Sequence, residues 1–365
     1  MDVITLRGVN TDEPNAPFHR LFPYPPQLAG VLDLDPAALH VYAIPMTHRF
    51  RGITVREGIL LEGPRGWGDF CPFEEYDDTS AAAWLAAALE AAWIGWPTAV
   101  RPSVAVNAIV PAVDPGRAFE LVAASGCATA KCAVADPAGS LSADADRVAA
   151  VRAALGPGGQ LRVDANGRWD VDTAVLSLGV LDEVAEGLQY AEQPCRTLDE
   201  LAEVRRRTHV PIAADESIRR AEDPLAVARA HAADVAVVKC APLGGVRRVL
   251  AVAGQLATGS DEVRAMPVVV SSALETSVGL AAEAALAGAL PDLDLACGLG
   301  TLALLDRDVV RERPALVDGR VAVPSAPPVP DVDALAACAQ RDRAREQWWR
   351  ERIARAADAL RLLLQ

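Results

Sequence analysis

A chain of 365 residues with 51% hydrophobic side chains has ample material for a large core, and its net charge of −14 argues against nucleic acid or an anionic membrane surface as the main partner. It contains no uncharged apolar run long enough to read as a membrane span, and the opening MDVITLRGVNTDEPNAPFHR lacks the basic-then-apolar pattern of a signal peptide. The seven cysteines are scattered and never form a C-x-x-C pair, so buried free thiols in a reducing cytoplasm are expected rather than a disulfide framework or a zinc site; the five histidines are equally dispersed.

Residues 1 to about 37 are rich in proline and polar residues and read as an irregular arm. From LHVYAIPM to GILLEGPRGWGDF the pattern is two β-runs joined through THRFRG, and an alanine-rich helix follows in TSAAAWLAAALEAAWIG. From about residue 103 the rhythm changes to alternating β and α. The β-runs are SVAVNAIV, ATAKCAVA, QLRVDAN, LQYAEQP, VPIAADES, VAVVKCAP, MPVVVSSALE and LDLACGLG, most of them separated by amphipathic helical stretches such as DVDTAVLSLGVLDEVAEG. This predicts an α/β chain built as a (β/α)8-type barrel. An open doubly wound sheet is the competing architecture, but its glycine fingerprint after the first strand is absent. The expected division is 1–102 for the arm and an α+β capping domain, 103–310 for the barrel, and 311–365 for a segment returning toward the cap. RDRAREQWWRERIARAADALRLLLQ closes the chain as a basic amphipathic helix, expected to dock through Trp348 and Trp349 rather than to serve as a membrane or calmodulin-type ligand.

Polar residues interrupt these strands in a regular way. In LRVDANG, Leu161, Val163 and Ala165 alternate with Arg162, Asp164 and Asn166, so one face is polar, which is unusual for a strand covered on both sides. Glu192 in YAEQP and Asp215 in AADES fall at the ends of the next two strands, where barrel enzymes hold their catalytic groups. Each carboxylate alone could cap a helix or pair with an arginine. Three at matching depth on consecutive strands would repel one another unless a cation sat among them, and oxygen ligands favour Mg2+ before Ca2+.

Lys239, in VAVVKCAP, and Lys131, in ATAKCAVA, would face the same mouth from strands six and two. A metal flanked by lysines suits removal of a proton next to a carboxylate, so a small-molecule carboxylate is the expected substrate. A snorkelling side chain at a strand end is the plainer account of either lysine. GPGG at 156–159 lacks the Lys-Ser/Thr of a phosphate loop and reads as a turn. Ser271 and Ser272 lack a nearby His and Asp, which argues against a hydrolase nucleophile, but they could donate hydrogen bonds to a substrate carboxylate.

RFRGITVREG, GWGDFCPF, VDANG, YAEQPC, PIAADESIRRAEDP, AVVKCAPLGG, VVSSALETSVG and ACGLGT together resemble the enolase superfamily, muconate-lactonizing subgroup, and within it the o-succinylbenzoate synthases of actinobacterial type. That resemblance implies a capping domain over a barrel and Mg2+, with Mn2+ as a substitute, on Asp164, Glu192 and Asp215. It implies a hydro-lyase of menaquinone biosynthesis that removes water from 2-succinyl-6-hydroxy-2,4-cyclohexadiene-1-carboxylate to give 2-succinylbenzoate. It also implies that Arg51, in RFRG, lies on a loop closing over substrate, and it suggests Arg162, Asn166, Ser271, Ser272 and Gly298 as substrate-binding positions.

The family's second strand carries Lys-x-Lys, whose second lysine is the base. Aligned through TAK and VAD, the first is Lys131 and the second position holds Ala133, so catalysis by this chain is expected to be impaired. A register shifted by two would instead make Lys131 the base, with Thr129 in the first slot. N-succinylamino acid racemases or dipeptide epimerases of the same superfamily, and a non-catalytic ligand-binding homologue, are the alternatives. The oligomeric state is not legible in the sequence.

Overall fold

The computed structural model describes residues 18–220, 223–260 and 263–365. The expected arm thus falls partly outside the described residues; its remainder consists of short helical turns whose Phe22, Tyr24, Leu28 and Leu32 are buried in the core.

The first unit is an antiparallel sheet of β1 (Leu39–Phe50), β2 (Ile53–Gly63) and β3 (Gly66–Phe70). Phe50 pairs with Ile53, so the hairpin turns on two residues, Arg51 and Gly52, with φ of 50° and 85°. Positive φ at both central positions matches the right-handed twist of the flanking strands. The sheet lies on the helix Asp78–Leu89, which opens on Asp77 accepting from Ser80 N at 2.7 Å. Contact is close because Gly68 has no side chain: a Cβ there would stand 2.1 Å from the Ala88 carbonyl oxygen. The C-terminal helix Arg343–Leu363 docks here too. Trp349 is buried edge-on against Phe70 with centroids 6.2 Å apart, while Arg345 and Arg352 lie over Trp348.

The second unit is the barrel. A short β4 (Ser103–Ala105) leads into β5 (Ala108–Val110), β6 (Thr129–Ala133), β7 (Gln160–Asp164), β8 (Tyr190–Glu192), β9 (Ile212–Ala214), β10 (Val235–Val238) and β11 (Val268–Val270). β5 to β11 form one parallel sheet in sequence order. The helices between them open on side-chain caps, among them Asp114, Ser140, Asp170 and Thr197. β12 (Arg320–Ala322) returns antiparallel to β4.

The run expected as an eighth strand, LDLACGLG, is reduced to two bridging residues. Cys297 N donates to Ala105 O at 2.7 Å and its carbonyl accepts from Asn107 N at 2.9 Å; Gly298 N donates to Val270 O at 2.8 Å and its carbonyl accepts from Ser272 N at 3.1 Å. Those four bonds join the two edges of the parallel sheet. The partner strand on one side breaks between β4 and β5, which leaves a longer ladder nothing to pair with. All seven cysteines are buried and free. Among the described residues no helix is long and apolar enough to cross a membrane.

Candidate active site

Strand alternation sorts the barrel interior into layers. Arg162, Tyr190, Ala213, Val237 and Val269 form one layer, and each is followed two residues later by Asp164, Glu192, Asp215, Lys239 and Ser271, on the same face and nearer the C-terminal ends. Register fixes the levels: Ala133 pairs with Asp164, Asp164 with Glu192, and Lys131 with Arg162. Lys131 therefore starts one layer down and reaches up.

Its Nζ stands 3.1 Å from Asp164 Oδ2 and 2.6 Å from Glu192 Oε1. Asp164 is oriented by Asn166, whose backbone N and side-chain Nδ2 both donate to Oδ1, at 3.0 and 2.9 Å. Asn166 can do this because it sits at φ 48°, a conformation asparagine tolerates better than most residues. Asp215 lies between two cations, with Lys239 Nζ 2.7 Å from Oδ2 and Arg219 Nε 3.1 Å from Oδ1. Arg51 comes from the capping hairpin and pairs with Glu216 at 2.9 Å.

These groups are nearly dry: Glu192 is 1% exposed, Asp215 2%, Lys239 4% and Lys131 8%. Burial pushes the Glu192 carboxyl up to about 7, with Lys131 opposing and the Asp164 and Asp215 charges reinforcing. Burial alone would depress the Lys131 ammonium, but Asp164 and Glu192 outweigh it and hold its pKa above the usual lysine value. At Asp215 burial is likewise overridden, here by Lys239, Arg219 and Arg51, and the pKa falls well below the usual carboxylate range.

Lys131, Asp164, Asn166, Glu192, Asp215, Lys239, Ser271, Ser272 and Arg51 all line one cavity at the C-terminal mouth. Three sequence-proposed positions lie outside its lining. Arg162 is fully buried one layer deeper, where it donates to Gln189 Oε1 at 2.7 Å and Ala296 O at 2.8 Å and stacks over Tyr190. Gly298 serves closure: a Cβ on it would stand 2.4 Å from Ser271 Oγ. Ala133 presents only a methyl, on the Asp164 rung. Among the described residues, no three carboxylate, imidazole or thiol groups converge closely enough as they stand to hold a metal ion.

The site has further contributors. Phe50, Ile109 and Leu274 give the cavity its apolar wall, and Thr301 bonds to Ser272. Gln193, fully buried at φ 40°, accepts from the Asp215 and Ser217 amides at 3.0 and 3.2 Å and so fixes the turn that carries Asp215. Arg219 had a readable signal, four residues after Asp215 in ADESIRR at helical pair spacing.

Models of enolase N-terminal and C-terminal domain-like sequences match residues 41–92 and 116–327. The chain is 60% identical to an o-succinylbenzoate synthase of Thermobifida fusca over 268 residues, covering 73% of this chain and 81% of that protein. It is 52% identical to the one from Mycolicibacterium smegmatis over 86% of this chain and 94% of the relative, and 51% identical to that of Mycobacterium tuberculosis over 91% and 96%. Among solved structures, muconate lactonizing enzyme from Pseudomonas fluorescens complexed with muconolactone superposes with a TM-score of 0.69 at 21% identity, covering 83% of this chain and 98% of that one. The L-Ala-D/L-Glu epimerase of Bacillus subtilis does so with 0.67 at 20% identity, covering 80% and 97%. The last two show shared fold. Domain matches over both units and this identity over nearly full-length relatives place the chain in the enolase superfamily, and within it in the o-succinylbenzoate synthase family.

Proposed function

We propose that this site serves the dehydration of 2-succinyl-6-hydroxy-2,4-cyclohexadiene-1-carboxylate to 2-succinylbenzoate, with Mg2+ held by Asp164, Glu192 and Asp215, in the cytoplasm. The reading rests on one observation above the others: identity of 51–60% to proteins of that name. Two buried ammonium groups facing carboxylates across a small cavity fit it chemically.

The donor set suits a hard cation because it consists of carboxylate oxygens. Glu192 Oε2 is buried and has no hydrogen-bond partner among the described residues, so that oxygen remains open to an ion. Binding there requires the Lys131 ammonium to give up part of its contact with Asp164 and Glu192. When bound, a divalent ion supplies fixed positive charge against the negative charge that builds on the substrate carboxylate as the adjacent C–H proton leaves.

The protein's own groups do the rest. Lys239 places a buried cation where that charge develops and is held there by Asp215. Ser271 and Ser272 offer hydroxyls, and Phe50, Ile109 and Leu274 exclude water from the ring. By resemblance, proton removal belongs to the position of Ala133, which has no basic group. Incubation with the cyclohexadiene substrate and Mg2+, followed by ultraviolet detection of the aromatic product, tests the assignment. Slow product formation that Ala133→Lys accelerates supports it. An Ala133→Lys variant that binds Mg2+ but forms no product rejects it.

A further inference from the structure

Arg51 belongs to the capping hairpin and Asp215 to the barrel, yet a continuous line of charges joins them. Arg51 Nη2 donates to Glu216 Oε1 at 2.9 Å, and the same oxygen accepts from Arg219 Nη2 at 2.6 Å. Arg219 then donates from Nε to Asp215 Oδ1 at 3.1 Å. Its third nitrogen, Nη1, donates to the hydroxyl of Tyr76, again from the capping unit. The Arg219 side chain is 1% exposed, so these bonds are made out of water. A planar guanidinium spreads its donors over three nitrogens in a rigid fork, whereas an ammonium gathers all of its donors on one nitrogen.

We propose that Arg219 is a positioning residue, coupling the hairpin tip to the orientation of Asp215 through an oxygen of Glu216 shared with Arg51. The physical basis is competition. Glu216 Oε1 is divided between two guanidinium groups, so while Arg51 is in place Arg219 leans on Asp215. When Arg51 leaves, Glu216 has only Arg219 as an ionic partner among the described residues and draws it from Asp215. Closure of the cap over a ligand is thereby registered at a carboxylate across the domain boundary, with no contact between Arg51 and Asp215 required. This deepens the functional reading, since it matters to catalysis only if Asp215 holds the site's cation.

The test uses the intact chain and the variants Arg51→Ala, Glu216→Gln, Arg219→Lys and the Arg51→Ala/Glu216→Gln double. Hydrogen–deuterium exchange is read for amides 215–220 and 49–53, and Mg2+ binding by calorimetry. The relay predicts at least about tenfold faster exchange at 215–220 in Arg51→Ala, and no further gain when that change is added to Glu216→Gln. Arg219→Lys keeps the positive charge and should stay folded, yet lose the coupling. It should also bind Mg2+ about 10- to 100-fold more weakly, the usual effect of removing a group that orients a metal ligand. Additive effects of Arg51→Ala and Glu216→Gln, or unchanged exchange at 215–220 in Arg51→Ala, overturn the relay. A parent chain that binds no Mg2+ rejects the metal assignment instead, and the exchange cycle still decides the relay.

Discussion

Ala133 and Asp164 are paired across the parallel ladder of β6 and β7, so the methyl group of Ala133 stands on the rung of the first site carboxylate. Lys131 pairs one rung lower, with Arg162, and its ammonium reaches the carboxylates only along the length of its own side chain. A lysine at 133 would start at the level of Asp164 and extend into the mouth. Lys131 is instead bridged between Asp164 and Glu192.

Ala133→Lys should therefore raise the dehydration rate by at least about 100-fold, the lower bound for a positioned general base. The melting temperature should change little, since position 133 is only partly buried. Steady-state rates and a thermal scan of both proteins check this. An ordinary enzymatic rate in the parent with no gain in the variant would make Lys131 the base.

Asp215→Asn should abolish Mg2+ binding and also weaken the fold. The carboxylate neutralises Lys239 and shares Arg219 with Glu216, so its loss leaves buried positive charge without a full counterion. Removing one partner of a buried pair costs about 3–5 kcal/mol, and the lower end is expected because Glu216 still pairs with Arg219. Calorimetry and a urea midpoint taken together separate the two effects. Undiminished Mg2+ affinity would make the three carboxylates a structural cluster.

The period-two alternation of LRVDAN, YAEQP and AADES made the inner face of the barrel legible, and with it Asp164, Glu192 and Asp215. What alternation cannot give is depth. Arg162 and Asp164 share a face, but two residues of strand separate them by about 6–7 Å, which buries one beneath the mouth and exposes the other to it. Only strand register reveals that, and it removes Arg162 from the cavity wall. LDLACGLG has strand composition, but the length of a strand depends on its partners. Here a break after Ala105 on one side limits it to two residues. Gln193 and Arg219 lie beyond the strand ends and act through the turn that carries Asp215. Hydrophobic patterning carries no trace of such roles.

Stability should depend on pH through Asp234. Its Oδ1 accepts from Arg205 at 2.8 Å and Arg264 at 3.2 Å, and its Oδ2 accepts from Ile212 N at 3.0 Å, joining the start of β9 to the segment before β10. Burial would raise this carboxyl, but the hydrogen bonds from Arg205 and Ile212 N and the nearby charge of Arg205 prevail and lower it. A folded-state pKa below the unfolded one stabilises the fold above the unfolded value, about 3.9 for aspartate, and that gain is lost as pH falls through the folded value. Asp234→Asn should thus be less stable than the parent at pH 7, with the gap closing below about pH 4. Urea midpoints across that range measure it, and a gap constant with pH would mean that the charge of Asp234 contributes nothing.

Gly298 carries the closure of the barrel, and its lack of a side chain is what lets Ser271 stand beside it. A Cβ at 298 would lie 2.4 Å from Ser271 Oγ and 3.1 Å from Ser271 Cβ. The hydroxyl can rotate away, but the Cβ contact moves only if the backbone of one partner shifts. Both are tied by short ladder bonds, Gly298 N to Val270 O at 2.8 Å and Ser271 N to Val238 O at 2.9 Å. Gly298→Ala should therefore destabilise by about 1–3 kcal/mol, the usual range for forcing extra atoms into a packed interior. Ser271→Gly in the same chain removes both contacting atoms and should restore much of the loss, so the two changes should be strongly non-additive. Equal destabilisation by Gly298→Ala with and without Ser271→Gly would place the cost in the backbone conformation of residue 298, and the close approach of the two strands would then not be what requires glycine there.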